Sequence, residues 1–66
     1  MKILINREEQ DTTSENLFLL LQENSFLDKK GFAVALNNTV IPKSDWEKTK
    51  LSENDNILII TATQGG

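Results

Sequence analysis

The 66-residue chain contains no cysteine, no histidine and no tyrosine, a single proline and only three glycines. Without cysteine or histidine it has no disulfide and no Cys/His zinc site, the two staples that small domains commonly use. The same absence removes a thiolate nucleophile, an imidazole base and any Ser-His pair. Serines, threonines and carboxylates remain, yet a chain this short has little wall with which to enclose a substrate and keep water out. The expectation is a protein that is not an enzyme on its own and holds no metal or cofactor of its own. Long apolar runs are missing too. The longest, Leu17 to Leu21 and Phe32 to Leu36, have five residues each, against about 20 for a membrane helix. Met1-Lys2-Ile3-Leu4-Ile5 passes directly into Asn6-Arg7-Glu8-Glu9, which is not the pattern of a signal peptide. Basic charge is scarce: seven basic residues face ten acidic ones, for a net charge of −3. That balance argues against a phosphate-neutralising role. A single cytoplasmic domain with no membrane and no nucleic-acid partner is expected.

The apolar residues, 38% of the chain, suffice for one sheet face and one helix. Lys2 to Asn6 reads as a strand whose odd face, Met1, Ile3 and Ile5, points to the core. A short polar strand over Glu8 to Thr12 would complete a hairpin. Thr12 and Glu15 have capping-box spacing, and Leu17, Leu20 and Leu21 share a helical face. Together these predict a helix from about Ser14 to Asn24, with Asn24 as the left-handed terminator. Phe32, Val34 and Leu36 alternate with Ala33 and Ala35 in a second strand. Asn37-Asn38 can turn it back into Thr39 to Ile41, and Pro42 stops the pairing. Ser44 and Glu47 repeat the capping-box spacing, predicting one helical turn that brings Trp46 to the core rim. Glu53 to Asn56 is a turn by composition. Ile57 to Thr61 is apolar on both faces and should be a central strand. The fold class is α+β: a mixed four- to five-stranded sheet, one main helix across one face and a short helical turn near Trp46.

Two of the three glycines close the chain, in Gln64-Gly65-Gly66. Two residues without Cβ make the thinnest possible chain, able to enter a narrow channel in a partner and adopt any φ/ψ there. Such an arm would deliver one group, the Gly66 carboxylate, which another enzyme must activate. A frayed tail is the bland alternative. Leu4, Leu58 and Ile60 form a second candidate. They should share the face of the sheet opposite the helix, beside the floor of Ala33 and Ala35. They are either a partner surface or ordinary half-exposed strand residues. Glu8, Glu9, Asp11 and Glu15 read as solvated charge that could also steer a basic partner. Trp46 and Phe18 read as packing residues.

The stretches Ala33-Val34-Ala35-Leu36-Asn37 and Val40-Ile41-Pro42-Lys43-Ser44-Asp45-Trp46, with Leu51, Asp55-Asn56-Ile57 and Gln64-Gly65-Gly66, resemble the ThiS family. These are the ubiquitin-like sulfur carriers of thiamine (thiazole) biosynthesis. Lys43 stands where that family more often has Arg, and Asn54 where it usually has Gly. The resemblance implies a β-grasp domain over residues 1–62 and a flexible Gly-Gly tail over 63–66. It also implies a mechanism. An E1-like adenylating enzyme would use ATP and magnesium to activate the Gly66 carboxylate. Sulfur from a cysteine desulfurase would convert it to a thiocarboxylate, and thiazole synthase would consume that sulfur. Gln64 and Gly65 would be partner-binding, with Leu4, Leu58 and Ile60. A molybdopterin-type carrier, a ubiquitin-like modifier and a non-covalent β-grasp binding module are the alternatives.

Overall fold

The computed structural model describes residues 1–61. Five strands form one mixed sheet: β1 (Lys2–Ile5), β2 (Glu8–Asp11), β3 (Phe32–Leu36), β4 (Thr39–Val40) and β5 (Asn56–Thr61), in the order β2-β1-β5-β3-β4. The apolar β5 is central, as its two-sided hydrophobicity requires. It runs parallel to β1 (Leu4 opposite Asn56, Ile5 opposite Ile57) and antiparallel to β3 (Ala33 opposite Ile60, Ala35 opposite Leu58). Both hairpins close through two residues at positive φ, Asn6-Arg7 (51° and 72°) and Asn37-Asn38 (50° and 74°). That is the type I′ geometry whose twist matches paired strands. Asn6 therefore belongs to a turn, not to the strand predicted for it. Its side chain reaches across to accept from the Ile59 amide at 2.9 Å.

Helix α1 (Leu17–Glu23) is shorter than predicted. Its N-cap is Asn16, whose Oδ1 accepts from the Leu19 amide at 2.8 Å. The Thr12–Glu15 capping box does not form. The buried Thr12 hydroxyl instead donates to Glu23 Oε1 at 2.6 Å and accepts from the Ser14 amide at 3.0 Å, a local turn that competes with helix. Residues 15 and 17 are also tied to the chain after Trp46: Leu51 N–H donates to Glu15 C=O and Leu17 N–H to Thr49 C=O. At the other end the left-handed residue is Ser25 (φ 63°), one position beyond Asn24. Ser25 N–H donates to Gln22 C=O and Phe26 N–H to Leu21 C=O, the bond pair of a Schellman motif.

A 3-10 helix (Lys43–Lys48) follows Pro42, which occupies its N-cap without any side-chain cap. The Ser44 box is thus replaced by a backbone bond, Asp45 N–H to Pro42 C=O at 2.8 Å. Trp46 sits inside the core rather than at its rim, 5% exposed. Its ring stacks on Phe32 at 5.7 Å and its Nε1 donates to Ile41 C=O at 3.0 Å. The core between sheet and helix joins Ile3, Val34 and Ile57 to Leu17, Leu20, Leu21, Trp46 and Leu51. Met1 does not join Ile3 there; it is exposed, and its amino group donates to Thr12 C=O. Among the described residues no helix is long and apolar enough to cross a membrane.

Candidate functional site

The face of the sheet away from α1 is set by strand registers. Because Ile3, Val34 and Ile57 point into the core, alternation turns Leu4, Ala33, Ala35, Leu58 and Ile60 outward. Ala35 lies opposite Leu58 and Ala33 opposite Ile60, so small residues form a floor beside large ones. Leu4 lies opposite Asn56, one pleat short of Leu58. With strands ~4.8 Å apart and a rise of ~3.3 Å per residue, its diagonal separation from Leu58 is about 8 Å. The three predicted residues therefore share one strip, with Leu4 and Leu58 half-buried and Ile60 47% exposed.

Two further residues belong to this strip. Val40, 60% exposed, lies opposite Ala35 and carries the apolar surface onto β4. Its place follows from the Asn37-Asn38 turn: a two-residue loop pairs 36 with 39 and hence 35 with 40. Asn56, opposite Leu4, has a buried Oδ1 with no hydrogen-bond partner among the described residues. No pattern in the sequence marks that atom, because its lack of a partner arises from the packing. Beyond Leu4 the face becomes charged. Glu9 lies opposite Leu4 and Asp11 opposite Lys2, and Lys2 Nζ reaches Glu9 at 3.7 Å in an exposed pair. An apolar strip with one charged margin is the usual make-up of a protein-binding face.

Asn37 and Asp55 hold the strip's strands in register. Asn37 Nδ2 donates to Asp55 Oδ1 at 3.0 Å, while Asn37 Oδ1 accepts from the Asn56 amide at 2.9 Å. Asp55 Oδ2 accepts from Ser52 N–H at 2.7 Å, closing the turn in which Asn54 takes φ 68°. One side-chain cluster thus joins the β3–β4 hairpin to the start of β5. Leu58 and Ile60 lie on that strand, which runs on toward the chain end. Gln64, Gly65 and Gly66, the expected delivery arm, lie outside the described residues, as does the domain–tail boundary placed after residue 62. Among the described residues no cluster of three or more acidic side chains could hold a metal ion.

Comparison with known proteins adds the family. The fold matches the crystal structure of the thiamine biosynthesis protein (ThiS) from Geobacter metallireducens with a TM-score of 0.84. The match covers 100% of both chains at 19% identity. At that identity the likeness concerns the fold, the mixed five-stranded β-grasp sheet with its helix and 3-10 helix. No curated protein matches the chain. The ThiS family model matches residues 3–66, from the first strand through both terminal glycines. The chain belongs to the ThiS family.

Proposed function

We propose that this protein is a sulfur carrier of thiamine biosynthesis, a carrier rather than a catalyst, working through the carboxylate of Gly66. The observation that carries the reading is the extent of the family match, which runs to residue 66 and so includes Gln64-Gly65-Gly66. In this reading an E1-like enzyme, using ATP and magnesium, joins the Gly66 carboxylate to AMP and releases pyrophosphate. The terminal sulfur of a desulfurase-derived persulfide then attacks the acyl carbon, and AMP leaves. A thiol reductant cleaves the sulfur–sulfur bond and frees the thiocarboxylate, from which thiazole synthase takes the sulfur in the cytoplasm. None of these steps needs a side-chain nucleophile from the carrier, which fits a chain without cysteine or histidine.

The outer strip supplies the docking surface in the same reading. Leu4, Leu58, Ile60 and Val40 would be covered by the adenylating enzyme, with Gln64 and Gly65 threaded toward its nucleotide site. The test is to incubate the protein with an E1-like enzyme, ATP, magnesium, a persulfide source and a thiol reductant and record its intact mass. A gain equal to the exchange of one oxygen for sulfur supports the carrier. An unchanged mass, with the enzyme shown to load another carrier, refutes it.

A further inference from the structure

A second surface lies at the opposite edge of β3 from β5. β3 has five residues but β4 only two, so the ladder between them stops early. Its last bond is Ile41 N–H to Val34 C=O at 2.8 Å. In a continued ladder the Ile41 carbonyl would accept from the Val34 amide, but it is taken by Trp46 Nε1. Pro42 (φ −63°, ψ 150°) then leads the chain into the 3-10 helix. The Val34 N–H and both backbone groups of Phe32 are left pointing away from β5, with no hydrogen bond among the described residues. They face a cleft of about 620 Å³ between β3 and Ile41–Lys43. Phe18, Leu27 and Trp46 give its other wall an apolar surface. Lys29, Lys30 and Lys43 also line it, whereas no acidic residue does. In a chain of net charge −3, three of the seven basic residues thus gather at one cleft.

We propose that this cleft binds an extended, acidic segment of a partner protein, added as a strand along the free edge of β3. Each feature answers one part of such a ligand. The Phe32 and Val34 backbone groups supply the donors and acceptor that strand addition uses. Alternate side chains of an added strand would turn toward Phe18, Leu27 and Trp46. Carboxylates would meet the three lysines, which favours acidic segments and speeds their association. The cleft meets the outer strip at Ala33 and Val40, but strand addition along β3 does not depend on the chemistry of Gly66.

The test uses the intact isotope-labelled protein and a blocked seven-residue peptide in which glutamate alternates with valine or leucine. Amide and indole NMR shifts are followed during titration. The expected result is saturable binding, with shifts at Phe32, Val34 and the Trp46 indole and slowed exchange of the Phe32 and Val34 amides. The same peptide with lysine in place of glutamate should bind at least about tenfold more weakly. Methylating the peptide amides that would face β3 should abolish binding, since the side chains remain but the ladder cannot form. Three results would overturn the proposal: no saturation at millimolar peptide, equal affinity for the lysine peptide, or undiminished binding of the methylated one. In the first case the lysines serve only to guard an open strand edge.

Discussion

Replacing Asn37 separates two contributions that this residue makes to the register of β5. Its side chain bonds both the Asp55 carboxylate and the Asn56 amide, and its backbone sits at φ 50°. Asn37→Gly keeps the left-handed backbone and removes both bonds; Asn37→Ala removes the bonds and adds a Cβ where it is disfavoured. Both bonds are solvent-exposed, so each is taken at the low end of the range, about 0.5–1 kcal/mol. Asn37→Gly should then cost about 1–2 kcal/mol, and Asn37→Ala a further 1–2 or so from the left-handed backbone. For a domain of this size, 1 kcal/mol lowers Tm by about 4–8 °C. Urea titration gives both values, and Asp55→Ala closes a double-mutant cycle with a coupling of at least ~0.5 kcal/mol. If Asn37→Gly is as stable as the parent, or Asn37→Ala no worse than Asn37→Gly, the reasoning fails.

The observed helix start predicts that Asn16→Ala costs about 1 kcal/mol, whereas Glu15→Ala is near neutral. Equal effects in urea unfolding would restore the capping box that the structure replaces. Trp46→Phe keeps most of the ring stacking but removes the indole donor to the Ile41 carbonyl. It should cost about 1–2 kcal/mol by the same measurement, and more if the Ile41 carbonyl is left dry. Ile60→Glu places charge on the exposed end of the outer strip. It should leave Tm within a few degrees of the parent and weaken binding to the adenylating enzyme at least about tenfold in calorimetry. Unchanged affinity would remove that strip from the interface.

The parts legible in the sequence are those in which one residue type has one job. Ile57 to Ile60 are apolar on both faces and could only be central, and Asn37-Asn38 could only turn. The alternation in Phe32 to Leu36 placed its alanines on the outer face. Where several residues compete for one task, the outcome depended on tertiary contacts. Thr12 has the chemistry of an N-cap, but Glu23 arrives from the far end of the helix to take its hydroxyl, leaving Asn16 to cap. Trp46 had to be somewhere near the core, yet only the Ile41 carbonyl and the Phe32 ring determine its depth. The candidate strip was legible because it follows from period-two alternation; Val40 was missed although the hairpin register implies it. The cleft along β3 arises where β4 departs early, and no local pattern encodes that.

Loading of sulfur on the last residue is read out by site-resolved mass spectrometry. Lys50 is the last basic residue, so cleavage after lysine releases residues 51–66 as one peptide. Fragmentation of that peptide should place the oxygen-to-sulfur exchange on Gly66, and a protein extended by one residue beyond Gly66 should show no exchange. Sulfur found on any other residue, or loading that survives the extension, would rule out the Gly66 carboxylate as the loading site.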